Sequence, residues 1–271
     1  MDYLKIKNFL IIITMEAQTI KTNDLNKFYN QGKKNQVHAL NNLNLNIRSG
    51  EIYGLLGENG AGKTTTVSIL TTMIKMSTGS AEIMGHDVVS DSKQVRQLIG
   101  CLPQDSGLYE EFTAIENMTY FANLRGLDSE TKRDQIAELI KIVGLEERQG
   151  DRVETYSGGM KRRLMIARTL IGNPRILFLD EPTAGIDVLV SRRVRQIVKK
   201  LAREKHITVL LSTHDMVSAE RLCDRVGILH KGKLVAEGPP QEIVDKYSKD
   251  SRDLEDAVVN LIGWTGEMEE D

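Results

Sequence analysis

Eight residues, Gly57-Glu58-Asn59-Gly60-Ala61-Gly62-Lys63-Thr64, fit the spacing G-x-x-x-x-G-K-[ST]. Glycines in such a loop let successive backbone amides turn toward one point, making an anion nest at a helix N-terminus. Lys63 adds a point charge suited to the β- and γ-phosphates of a nucleotide, and the Thr64 hydroxyl is a ligand for Mg²⁺. Thr65 is counted with the same phosphate-binding turn.

Two carboxylates, Asp180 and Glu181, close the apolar run of "RILFLDEP". They divide one task between them. Asp180 is read as the group that holds the metal through its water shell, and Glu181 as the general base that polarises an attacking water. His214 closes a second apolar run, "ITVLLSTH", where it would contact a γ-phosphate. His38, His86, His206 and His230 are read as surface or turn residues.

A third cluster sits in "YSGGMKRR", residues 156 to 163. Ser157 fits a helix N-cap, and Gly158 and Gly159 leave the first-turn amides uncovered, which makes a second anion site. Met160, Leu164, Ala167 and Ile171 recur at helical spacing and seat that helix, which is expected to end at Gly172. The cationic run Lys161 to Arg163 reads as a solvated face.

These groups need particular elements to hold them. "EIYGLL" predicts a strand and "KTTTVSIL" the helix behind the loop. The runs before Asp180 and His214 are continuous rather than alternating, which suits central parallel strands buried on both faces. Their acidic and histidine ends then fall at the carboxyl edge, where open α/β sheets place ligands. Thr113 to Glu116 is a capping box opening a helix that stops near Gly126. Ile136, Leu139, Ile140 and Val143 stripe a second helix ending at Gly144, and residues 226 to 238 read as a hairpin.

The chain has 271 residues, 40% of them apolar, and a net charge of −2, so no basic excess points to nucleic acid. The one apolar run near the N-terminus, residues 9 to 15, falls far short of the roughly 18 residues a membrane span needs. Met15 is read as the start, with residues 1–14 an over-extension. Cys101 and Cys223 lack metal-ligand spacing and are expected to stay reduced thiols in a cytoplasmic protein.

Taken in order, these motifs resemble the ATP-binding-cassette (ABC) ATPases. "YSGGM" is similar to the family signature, and its Ser157 lies 23 residues ahead of Asp180. Gln104 in "CLPQD" matches the Q-loop, "AGID" ending at Asp187 the D-loop, and His214 the switch histidine. Tyr29 is similar in position to the aromatic that stacks on adenine, with Phe28 the second choice. The resemblance covers residues 19 to about 240.

It implies a P-loop α/β cassette with a parallel core sheet, an N-terminal antiparallel β region and an inserted α-helical subdomain at 105–156. The implied division is an extension at 1–18, an ATP-binding domain at 19–249 and a helical tail at 250–271. ATP and Mg²⁺ are the implied cofactors, with Gln104 joining Thr64 and Asp180 as a metal ligand and joining Glu181 and His214 in catalysis. Two such domains pair head to tail, so Ser157, Gly158, Gly159 and Asp187 of one copy complete the site of a similar copy, identical or not. The implied partner is a separate transmembrane permease at the cytoplasmic face of the membrane.

Tyr156 and Met160 depart from the commonest signature, and that variant, with its basic run and the tail "LEDAVVNLIG", resembles the drug-resistance and sodium-export branch. An exporter is the leading expectation. The alternatives are a soluble ABC ATPase acting on DNA or ribosomes, without transport, and a nucleotide sensor without turnover. Intact Glu181 and His214 argue against the sensor.

Overall fold

Two sheets organise residues 18–102 and 107–263, which this computed structural model describes. Gln104, Met15 with the rest of the N-terminal segment to residue 17, and residues 264–271 lie outside the described residues. The first sheet is antiparallel and contains β1 (Gln18–Tyr29), β2 (Val37–Arg48), β4 (Thr78–Ile83) and β5 (His86–Asp87), in the order β2-β1-β4-β5. The second contains β3 (Ile52–Leu56), β6 (Ile99–Leu102), β7 (Ile176–Asp180), β8 (Thr208–Thr213), β9 (Arg225–His230) and β10 (Lys233–Gly238). Its order is β10-β9-β3-β8-β7-β6, parallel throughout except for β10, the return arm of the expected hairpin.

The unbroken apolar runs have a physical cause in this second sheet. Ile176 and Phe178 of β7 join Tyr53, Leu55 and Leu210 in a core facing the antiparallel sheet. Leu177 and Leu179 point the other way, into a core with Ile52, Leu56, Val209 and Leu211. Alternate residues therefore fill opposite cores, and each fully buried Leu or Phe contributes about 1.5–3 kcal/mol.

Helix α1 (Lys63–Leu70) follows β3, and α2 (Ser92–Leu98) leads into β6. Helices α3 (Ala114–Leu124) and α4 (Ser129–Val143) precede α5 (Gly158–Thr169). The capping box is present: Thr113 N–H donates to Glu116 Oε2 at 2.7 Å, and Glu116 N–H to Thr113 Oγ1 at 3.2 Å. Gly144 ends α4 in the left-handed region, and Ile136, Leu139, Ile140 and Val143 are buried as their spacing predicts. Helix α5 stops at Thr169, short of the expected Gly172, because its last amides close onto carbonyls three residues back, Leu170 on Ala167 and Ile171 on Arg168.

Helices α6 (Val188–Glu204) and α7 (Met216–Leu222) follow β7 and β8, and α8 (Pro240–Tyr247) and α9 (Leu254–Ile262) complete the described chain. Among the described residues no helix is long and apolar enough to cross a membrane.

Candidate active site

Strand register brings the chemistry together. Leu56 pairs with Thr213 and Asp180 with Ser212, so β3, β8 and β7 end side by side. Gly57, His214 and Glu181 are the next residues out. There a cleft of about 580 Å³ is lined by Asn59, Gly60, Gly62, Lys63, Thr64, Thr65, Asp180, Glu181 and His214.

The loop backbone explains its glycines. Gly57, Gly60 and Gly62 have φ of 154°, 80° and 111°, in the region that side chains disfavour. A Cβ at Gly57 would also lie 2.2 Å from the carbonyl oxygen of Leu229, whereas one at Gly60 meets open space. Ala61 is buried, and Glu58 lies outside the cleft with a carboxylate oxygen 2.9 Å from His230 Nδ1. Lys63 is buried, with Nζ donating to the carbonyls of Gly57 at 2.6 Å and Glu58 at 3.0 Å. Burial lowers its pKa, and the charges of Glu181, Asp180 and Glu58 act in the opposite direction.

Both carboxylates are held from β8. Ser212 Oγ donates to Asp180 Oδ1 at 2.5 Å. Thr213 Oγ1 donates to Glu181 Oε2 at 2.8 Å, and the His214 N–H to Glu181 Oε1 at 3.1 Å. Glu181 has φ +46°, a conformation that costs a residue with a Cβ roughly 1–2 kcal/mol. Its N–H is tied to Ser212 O at 2.9 Å.

Sequence reasoning missed the residue behind that turn. Arg162 is 7% exposed; Nε donates to Pro182 O at 2.9 Å, and Nη2 to Asp180 O at 3.1 Å and to Glu181 O. The run from Lys161 to Arg163 is therefore not a solvated face. Lys161 pairs with Glu110 at 2.5 Å, and Arg163 donates to Val143 O and Gly144 O at 2.6 and 2.8 Å. Free carbonyls at turns and helix ends hold the two arginines and a carboxylate holds the lysine, partners that a charge count cannot register.

Ser157 caps α5 as expected, its Oγ accepting the Met160 N–H at 3.3 Å. Gly158 has open space around its Cα, but a Cβ on Gly159 would lie 2.7 Å from the Val190 side chain, so this second glycine also serves packing. Asp187 caps α6, accepting from Leu189 and Val190 N–H at 3.0 and 2.9 Å. None of Ser157, Gly158, Gly159 and Asp187 lines the cleft of its own chain. The Tyr156 variant is accounted for: its ring is buried, and its hydroxyl donates to Arg148 O at 2.6 Å.

Tyr29 is 40% exposed, and Lys27 Nζ lies 5.1 Å from its ring centroid. It pairs in register with Val37, which lines the cleft. Phe28 is stacked by His38 at 4.1 Å, so one face of the second-choice aromatic is covered. His38 at the start of β2 and Lys231 in the β9–β10 turn line the cleft as well, unforeseen because they enter from elements remote in sequence. His38 is exposed, and His230, read like it as a surface or turn residue, ends β9 half-buried beside Glu58.

The donor set suits a nucleotide triphosphate: an ammonium, turned backbone amides and two hydroxyls share one cleft with two carboxylates. Thr64 and Asp180 offer hard oxygen ligands. Among the described residues no group of three or more His, Cys, Asp and Glu gathers. The Thr64 hydroxyl and the Asp180 carboxylate are the kind of oxygen ligands that Mg²⁺ takes, one or two from the protein with phosphate and water completing the shell.

The model of the family described as ABC transporter matches residues 40–184. The chain belongs to the ABC transporter family. This ABC chain is 41% identical over 220 residues to the bacitracin transport ATP-binding protein BcrA of Bacillus licheniformis, spanning 81% of this chain and 69% of that one. It is 38% identical over 230 residues to the daunorubicin/doxorubicin resistance ATP-binding protein DrrA of Streptomyces peucetius, spanning 85% and 68%. ABC transporter A family member 8 of Dictyostelium discoideum is 42% identical over 224 residues, which cover 83% of this chain but 26% of that longer protein.

Among solved structures, the ATP-binding cassette MJ0796, a dimer bound to ADP and phosphate, matches with TM-score 0.72 and 30% identity over 81% of this chain and 98% of that one. The cassette cbiO1 of Clostridium perfringens, part of an ABC transporter complex, matches with TM-score 0.78 and 28% identity over 85% and 92%. The fold is the P-loop α/β cassette, and this ABC chain is an ATP-binding ATPase.

Proposed function

We propose that this ATPase is the motor subunit of an exporter, working as a head-to-tail dimer on a separate transmembrane permease at the cytoplasmic face of the membrane. Resistance in the name of DrrA, and export in that of a Nod factor export ATP-binding protein, support the direction, while the name of BcrA says transport. The observation that carries the dimer is the position of Ser157. It is exposed at a helix N-terminus whose amides suit an anion, yet it lies outside its own cleft. The exposed apolar pair Val188 and Leu189, 79% and 77% accessible, stands beside Asp187 and offers surface for a second copy. The unit of assembly is the ATP-binding domain 19–249, with 105–156 facing the permease and 250–271 as tail.

In this reading Lys63 and the Gly57–Thr64 amides hold the phosphates, and Tyr29 stacks on adenine. Thr64 and Asp180, with Gln104, hold Mg²⁺, whose charge stabilises the phosphates. Glu181, fixed by Thr213 and His214, takes the proton of the attacking water. Ser157 and Gly159 of the partner copy cover the γ-phosphate and exclude solvent.

Replacing Glu181 with Gln keeps the size and the hydrogen-bond acceptor but removes the base. Hydrolysis is expected to fall roughly 10²- to 10⁴-fold, while ATP drives a dimer visible by gel filtration. A variant that hydrolyses normally, or stays monomeric with ATP, contradicts the proposal.

A further inference from the structure

We propose that Arg162 is a positioning residue for Glu181 of the same chain, resting on the reading of Glu181 as the base. The guanidinium is almost wholly buried and serves three consecutive carbonyls: Asp180 at 3.1 Å, Pro182 at 2.9 Å, and Glu181 between them. Three carbonyl oxygens converging on one place repel one another, and a planar cation with several fixed N–H groups is the group that gathers them. The residue in the middle is the one with left-handed backbone, φ +46°.

Glu181 is thus held at both ends by different elements. Its carboxylate is anchored to β8 through Thr213 and the His214 amide. Its backbone is anchored to α5 through Arg162. The same helix begins at Ser157, one and a half turns from Arg162. A shift of α5, such as Ser157 engaging a partner's nucleotide would cause, is therefore passed to the base of its own chain through a single side chain.

The claim is kinetic and separable from a structural role. Arg162→Lys keeps a buried cation but loses the fork, and Arg162→Met removes the donors. Both would be compared with wild type, Glu181→Gln and each double variant for kcat, KM for ATP, ATP-dependent dimerisation and melting temperature. Arg162→Lys is expected to fold, to lower kcat roughly tenfold and to leave KM within about twofold, as an interaction acting only in the reaction step does. Dimerisation should persist. Added to Glu181→Gln, the same change should have less than about a twofold effect on the residual rate, because a residue acting through Glu181 has nothing left to position.

A folded Arg162→Lys with wild-type kcat overturns the proposal. So does a loss that multiplies in full with that of Glu181→Gln, or one carried by KM. If Arg162→Met does not fold, the lysine variant decides alone. Normal hydrolysis by Glu181→Gln would instead refute the base assignment, and that variant is measured by itself in the same series.

Discussion

Nδ1 of His214 lies 2.7 Å from Oε1 of Glu181, the same oxygen that accepts the His214 backbone N–H. One residue thus grips the carboxylate from main chain and side chain together. The imidazole remains 63% exposed toward the cleft, whereas the Glu181 side chain is 13% exposed. A group so placed can hold the carboxylate and reach a phosphate in the same step. His214→Ala retains the amide bond and loses the ring, so kcat should fall by about 10²-fold, with KM for ATP changed little. Steady-state kinetics measure both, and a fall confined to KM would contradict the assignment.

The loop glycines are not equivalent. Gly60→Ala meets only the left-handed backbone, so it should cost about 1 kcal/mol, or roughly 2–4 °C in Tm for a domain of this size. Gly57→Ala adds a Cβ 2.2 Å from Leu229 O and must displace β9, so its Tm loss should be at least twice as large. Equal shifts in thermal melts would mean that the Gly57–Leu229 approach does not constrain the loop.

Much of this was legible in the chain. The run ending in Asp180 predicts a doubly buried strand because successive residues feed two cores, and no polar face interrupts it. The glycine spacing of 57 to 64 predicts turned amides, and Ser157 predicts the cap. Arg162 was not legible, since a cation within a basic run has the same pattern whether water or three carbonyls surround it. Gly159 suggested bare amides, but its fit against Val190 depends on where α6 packs. His38 and Lys231 reach the cleft only through the approach of two sheets, which local periodicity does not encode.

Asp256 knits the tail to α8. Its carboxylate accepts from the Ser248 hydroxyl at 2.6 Å, from Lys249 and Asp250 N–H at 2.6 and 2.9 Å, and from Asn260. These bonds, the Ser248 hydroxyl first, hold its pKa down at about 2. A depressed carboxylate pKa stabilises the fold above the unfolded value of roughly 3.9 and ceases to as pH falls toward the folded value. Asp256→Asn cannot titrate, so its deficit in urea unfolding should be full at pH 7 and shrink as pH falls below about 4. A deficit independent of pH would contradict the role given to this carboxylate.

The central claim is that each site is built from two copies, and a mixed dimer tests it most directly. Ser157→Arg should block closure over the γ-phosphate, and Lys63→Ala should disable the phosphate loop, so neither variant alone should hydrolyse ATP. Combined, they form a dimer with both lesions in one site and none in the other. The account predicts recovered hydrolysis of up to about half the wild-type rate per mixed dimer, with tight ATP binding at the intact site. If mixing restores neither hydrolysis nor tight binding, Ser157 serves the nucleotide of its own chain, and the head-to-tail site is wrong.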